Sequence, residues 1–260
     1  MPSRSFAHIV RSGKPALGTW SQIASEECID MLGAAGLQFT IVDCEHGAFG
    51  IETAEKLFRA CDANDLAPLV RAPSNDPVFI GRALDAGAVG VVVPGISTAA
   101  EAAAAVAATR YAPDGTRGAC PCVRAGGHFI RDWRAHVTSQ ARETGIVALV
   151  ETRAGLGNIE AITRVEGLMA LMIGPFDLSV SLGLDGDYQH PENQAAVARM
   201  LAAAQAAKLP VMAPVFHPDP AEAQAQQRRW MDNGVNLFVI GTDKIIFAEG
   251  MRRYATGLAR

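Results

Sequence analysis

Short apolar runs recur along the chain with longer amphipathic stretches between them. Eight runs read as strands, near 16–20, 38–43, 67–71, 89–94, 146–151, 168–173, 210–215 and 236–241. They are apolar at consecutive positions, as strands of a parallel sheet must be when helices cover both faces. The intervening segments carry apolar residues at helical spacing, near 25–35, 51–63, 76–86, 98–109, 132–142, 154–164, 191–206 and 219–233, with another at 243–258. Several open on a capping residue: Ser25 before Glu26, Asp76 before Pro77, and Asp219 before Pro220. Eight strands in strict alternation with helices predict an α/β fold, a single (β/α)8 TIM barrel spanning 1–260. An open dinucleotide-binding sheet fits less well, because no G-x-G-x-x-G follows the first strand; Gly155-Leu156-Gly157 comes late and lacks the third glycine. The longest irregular stretch is 111–131, rich in Gly and Pro, and loops of that length in compact domains are usually functional.

Composition narrows the classes. Hydrophobic residues make up 49% of the 260 positions and charged ones 19%, which excludes intrinsic disorder. No uncharged apolar run reaches membrane-spanning length. The first twenty residues, MPSRSFAHIVRSGKPALGTW, lack the apolar core of a secretory signal, so the expected location is cytoplasmic. The 23 Lys and Arg against 27 Asp and Glu give a net charge of −4, and no basic run offers itself to nucleic acid or a membrane surface. Five cysteines (Cys28, Cys44, Cys61, Cys120 and Cys122) form no disulfide framework and suit a reducing compartment. Cys120-Pro121-Cys122 has no second Cys/His pair at zinc-like spacing, so it reads as a loop feature.

In a barrel of this kind chemistry is built at the carboxyl ends of the strands. The second strand ends in Val42-Asp43-Cys44-Glu45-His46-Gly47, the third in Arg71, the fifth in Glu151-Thr152-Arg153, and the sixth runs into Gly174-Pro175-Phe176-Asp177. Any one of these could merely cap or pair with the next helix. A barrel, however, aims His46, Arg71, Glu151 and Asp177 at one cavity. Two carboxylates without Cys or His partners suit a hard divalent cation, Mg²⁺, Mn²⁺ or Co²⁺, so Glu151 and Asp177 are the expected metal pair. An α-keto acid could chelate such an ion, which would polarise its carbonyl. His46 is the natural base and Arg71 the fixed charge for a developing enolate oxygen.

Two rival chemistries recede. Imine catalysis needs a desolvated lysine on a barrel strand. The four lysines (Lys14, Lys56, Lys208 and Lys244) lie elsewhere, only Lys244 near the mouth. Phosphate sites in barrels use glycine-rich loops after the seventh and eighth strands. Here those ends read VFHPDP and IGTDK.

The segments VDCEHG (42–47), VRAPSNDP (70–77), ATRYAPDGTRG (108–118), VETRAG (150–155) and IGPFDLSVSLG (173–183) are collinear over nearly the whole chain. In them the sequence resembles the HpcH/HpaI group, the metal-dependent class II 2-oxo-acid aldolases, and more distantly citrate-lyase-β-type proteins. The resemblance implies a (β/α)8 barrel in trimers or hexamers that exchange a helix. It also implies reversible cleavage of a 4-hydroxy-2-oxo acid into pyruvate, or a related oxo acid, and an aldehyde. Carried onto this chain, His46 would be the base, through a water on the ion, with Asp85 raising its basicity. Arg71 would stabilise the enolate, Glu151 and Asp177 would hold the ion, and the backbone amides of Phe176 and Asp177 would receive the substrate carboxylate. Many members have Gln two residues before the metal Glu, contacting the oxo acid; here Leu149 stands there, which opens the donor to pyruvate or hydroxypyruvate. The alternatives are a metal-dependent lyase of an acyl-CoA thioester and a barrel kept for binding alone.

Overall fold

Side chains that alternate inward and outward along each strand build a closed barrel of eight parallel strands. In order around it come β1 (Ala16–Ser21), β2 (Phe39–Asp43), β3 (Ala67–Arg71), β4 (Gly90–Val93), β5 (Gly145–Val150), β6 (Leu168–Ile173), β7 (Val211–Val215) and β8 (Leu237–Thr242), with β8 pairing back onto β1. The computed structural model describes residues 5–258. The helices are α1 (Phe6–Ser12), α2 (Glu26–Ala34), α3 (Ile51–Ala63), α4 (Pro77–Ala86), α5 (Ala99–Ala107), α6 (Trp133–Glu143), α7 (Arg153–Gly157), α8 (Ile159–Ile162), α9 (Pro175–Ser181), α10 (Pro191–Ala207), α11 (Pro220–Asp232) and α12 (Asp243–Leu258). The predicted (β/α)8 barrel is therefore the fold.

Two apolar clusters divide the strands by parity. Phe39 and Ile41 of β2, Ala67 and Leu69 of β3, Val147 and Leu149 of β5, and Ala170 and Met172 of β6 share one cluster, the barrel interior. The residues between them, such as Val42, Val70, Ala148 and Leu171, pack with the helices in a second cluster. Continuing each inward column by two residues toward the mouth reaches Asp43, Arg71, Glu151 and Gly174. The strand period thus carries the interior column directly into the polar mouth.

The opposite end of the barrel is closed by α1, a helix that the hydrophobic pattern did not reveal. Ser5 caps it by accepting from the His8 amide, and Phe6 and Ile9 join the interior cluster. The Phe6 ring meets Phe39 edge to face at 5.4 Å.

Of the expected caps, Asp76 accepts from the Val78 amide and Asp219 from those of Ala221 and Glu222. Ser25 stands at the N-cap of α2 but makes no capping hydrogen bond; Glu26 and Glu27 in the first turn complement the helix dipole instead. The single helix expected at 154–164 is two, α7 and α8. Asn158 divides them, its amide donating to the carbonyls of Ser97 (2.8 Å) and Ala154 (3.2 Å). The 111–131 stretch holds one 3-10 turn, Arg124–Gly126, and leaves Cys120 and Cys122 exposed. Among the described residues no helix is long and apolar enough to cross a membrane.

Candidate active site

The mouth of the barrel holds a cavity of about 290 Å³. Six residues singled out in the sequence line it: His46, Arg71, Leu149, Glu151, Phe176 and Asp177. No lysine does, among the described residues.

Arg71 is held on three sides. Asp43 and Arg71 are register partners on β2 and β3, so the sheet itself sets the carboxylate against the guanidinium. Arg71 Nε donates to Asp43 Oδ1 (2.9 Å) and Nη2 to Oδ2 (2.5 Å), while Nη1 lies 2.9 Å from Glu45 Oε2. The guanidinium carbon stands 4.2 Å from the centre of the Trp20 ring, a cation–π contact. An arginine carries five N–H donors, and this arrangement leaves some of them for a ligand while fixing where they point.

Asp43 is fully buried and also accepts from Gln22 Nε2 (2.7 Å) and the amides of Glu45 and His46 (3.1 Å each). Burial alone would raise its pKa; the hydrogen bond and charge of Arg71, with Gln22 and the His46 amide, overcome this and hold it below the ordinary range. The sharp turn after β2 returns the Gly47 amide to the Asp43 carbonyl at 3.0 Å. A Cβ at Gly47 would stand 2.1 Å from that oxygen. The turn therefore needs glycine to deliver His46 to the rim. Glu45, pushed upward by burial against the pull of Arg71 and His46, comes within 4.0 Å of His46 Nε2.

Across the cavity, Glu151 follows β5 and Asp177 lies in the first turn of α9. Burial, with the charge of Asp177 next, pushes the Glu151 carboxyl up to about 7, against a hydrogen bond from the Gly95 amide at 3.0 Å. A Cβ on Gly174 would approach Glu151 Oε2 to 2.8 Å, so glycine makes the room in which that carboxylate sits. Two oxygen-donor carboxylates that repel each other on one wall of the cavity fit a divalent cation, which relieves the repulsion and keeps positions for water and substrate. Among the described residues no cluster of three or more His, Cys, Asp or Glu is arranged to hold an ion; the arrangement is a pair.

Asp85 lies elsewhere in the chain's fold. It sits at the far end of α4, eight residues beyond Pro77 and so about 12 Å down the helix from the mouth. There it accepts from Arg117 Nη2 at 2.6 Å, and Arg117 in turn bonds Gln140 and covers the Tyr111 ring. Within one chain the fold does not bring Asp85 to His46. Asp43, Glu45, Gln22 and Trp20, by contrast, belong to the site and were not singled out. The signal for Asp43 was available: it continues the inward column of Phe39 and Ile41.

A profile of the family described as HpcH/HpaI aldolase/citrate lyase matches residues 16–244. The chain belongs to that family. It is an enzyme, a carbon–carbon lyase of the aldolase type. This HpcH/HpaI aldolase is 32% identical over 241 residues to the 5-keto-4-deoxy-D-glucarate aldolase of Salmonella arizonae, covering 92% of the chain and 90% of that relative. Among solved structures it resembles an HpcH/HpaI aldolase/citrate lyase family protein from Burkholderia cenocepacia, with a TM-score of 0.90, 30% identity, and coverage of 98% and 99% of the two chains. It also resembles the HpcH/HpaI aldolase from Desulfitobacterium hafniense, with a TM-score of 0.90, 25% identity and coverage of 98% and 96%.

Proposed function

We propose that this aldolase reversibly cleaves a 4-hydroxy-2-oxo acid into a small 2-oxo acid, pyruvate or hydroxypyruvate, and an aldehyde, with a divalent ion held by Glu151 and Asp177. The observation that carries the reading is a carboxylate pair, a half-buried Glu151 and an exposed Asp177 on one wall of the cavity, facing a guanidinium locked in place by Asp43, Glu45 and Trp20. When bound, the ion supplies Lewis-acid charge that favours the enolate over the ketone.

The chain's own residues do the rest. The amides of Phe176 and Asp177, in the first turn of α9, receive the substrate carboxylate, as free N–H groups at a helix start do. In the cleavage direction His46 takes the proton of the C4 hydroxyl as the C3–C4 bond breaks. That bond's electron pair moves onto the C2 oxygen, the aldehyde departs, and protonation at C3 completes the oxo acid. Arg71 donates to the C2 oxygen as its negative charge develops, and costs no reorganisation because its plane is already fixed. Asp85 has no place in these steps within a single chain; an effect on His46 would have to come from a neighbouring subunit.

Leu149 is 2% exposed and sits beside Glu151 and Gly174, where it offers no hydrogen bond to the donor. A homo-oligomer, a trimer or hexamer, accords with α12, whose 16 residues include only one buried side chain.

The test is exchange of C3 protons of pyruvate and of hydroxypyruvate in D₂O, followed by NMR, on metal-stripped enzyme and after restoring Mn²⁺ or Mg²⁺. Exchange that needs the ion is the expected result, and the faster donor reports what Leu149 selects. No exchange of either donor with metal present would sink the reading.

A further inference from the structure

The mouth of the barrel is chemically two-sided. Its ionic groups, His46, Arg71, Glu151 and Asp177, come from the ends of β2, β3 and β5 and the start of α9. The arc facing β2 and β3 is made by β7 and its neighbours: Pro214 and Phe216 from β7 and its end, Tyr188 from the turn before α10, and Gln226 from α11. Phe176 extends that arc, its ring lying so close to Gly186 that a Cβ there would come within 2.9 Å.

This arc is apolar or neutral and open to solvent, with Phe176 57%, Phe216 42% and Tyr188 39% exposed. Gln226 uses its carbonyl oxygen to accept from the Phe216 amide at 3.2 Å, which fixes the turn and leaves its amide N–H₂ as a neutral donor. Among the described residues that line the cavity, Arg71 is the only arginine or lysine. Its charge is already matched by Asp43 and Glu45. Arg229 belongs to a separate groove between α10 and α11 that shares only Pro175, Tyr188 and Gln226 with the cavity.

We infer that the second substrate is an uncharged aldehyde, its apolar or hydroxylated body lying on the Phe176–Tyr188–Phe216 wall and a hydroxyl or carbonyl oxygen within reach of Gln226. The inference rests on the aldolase reading and specifies its acceptor. An aldehyde bearing a carboxylate would shed its hydration against this wall without gaining a counter-ion. It would also meet a site where four carboxylates already outnumber one guanidinium and one divalent ion by a charge, before the donor adds its own.

The test starts with metal-dependent C3 exchange, which establishes the donor half of the reaction. Aldol addition is then measured with aldehydes paired by size: glycolaldehyde against glyoxylate, and butanal against succinic semialdehyde. A kcat/KM at least about tenfold higher for the neutral member of each pair is expected. Phe216→Arg, which sets a cation on the wall at an exposed position, should move that ratio toward the anionic members. Exchange together with equal or better use of glyoxylate and succinic semialdehyde would overturn the inference and leave the aldolase reading standing. Absence of exchange would overturn both.

Discussion

Arg71 shows how much of the site is made by neighbours of the residues proposed to do the chemistry. Its charge alone would serve badly if the plane could rotate; Asp43, Glu45 and Trp20 prevent that. Arg71→Ala should therefore lower kcat by about 100-fold or more, the scale of a lost transition-state donor. Arg71→Lys should rescue little, because an ammonium cannot reproduce the planar fork on Asp43; steady-state kinetics on both variants decides, and near-normal turnover in the alanine variant would remove Arg71 from the mechanism. Glu151 gives a pH prediction. Its folded pKa, about 7, lies above the ordinary 4.5, so the folded protein binds the extra proton in that window. Stability without metal is then greatest below pH 4.5 with respect to this group and is lost as pH rises through 7. The loss is on the order of 3 kcal/mol. Urea unfolding of metal-stripped enzyme at pH 5 and pH 8 should show it, Glu151→Gln should flatten the difference, and Mn²⁺ at pH 8 should restore stability to the unmodified chain alone. Equal pH dependence in the two proteins would contradict this. Glu151, Asp177, Arg71 and His46 were legible because acids and bases at strand ends stand out against apolar runs. Asp43 and Glu45 were hidden by adjacency to His46: within one short segment, only the inward period and the pairing of Asp43 with Arg71 separate them.

At the scale of elements, the strands were the most legible part, since eight doubly covered strands cannot avoid consecutive apolar residues. What the pattern missed were short helices whose stability comes from what they cover. The seven residues of α1 are too few to form a helix alone. It exists because Phe6 and Ile9 plug the barrel floor. Phe6→Ala should accordingly cost about 3–5 kcal/mol, seen as a lowered urea midpoint, although residue 6 precedes the first strand and touches no site residue. A variant as stable as the parent would mean that α1 is an ornament on the barrel. The break at Asn158 escaped for a related reason: its side chain satisfies carbonyls on two different segments, a tertiary contact that helical periodicity does not encode. Asp85 illustrates the converse. Its place near the end of a helix was readable, but which end of the barrel that helix end occupies follows only from the βα path, which runs from the mouth at Pro77 back toward the floor.

For the whole molecule, α12 poses the question that a single barrel does not answer. The last helix of a (β/α)8 fold ordinarily hides one face against the strands, yet here Ile245, Ile246, Phe247, Met251, Tyr254 and Leu258 are all exposed, and only Asp243 is buried. That aspartate anchors the start of the helix by accepting from the amides of Gln22 and Ile23 at the top of β1. The helix is thus fixed at its root and bare along its length. Six large apolar side chains on one element exceed what scattered surface hydrophobics account for, and such a surface marks an interface. We propose that a second copy of the chain covers it, since symmetry then supplies a complementary surface. Sedimentation velocity should find a trimer or hexamer, and Phe247→Glu combined with Tyr254→Glu should shift it to smaller species. A protein that sediments as a monomer would refute the assembly. An oligomer untouched by the double variant would move its interface away from α12. If dissociation also lowers turnover while metal-dependent proton exchange survives, the neighbouring subunit acts on the aldehyde half of the reaction; loss of exchange on dissociation would instead place its contribution in the donor half, as an effect of Asp85 on His46 across the interface would.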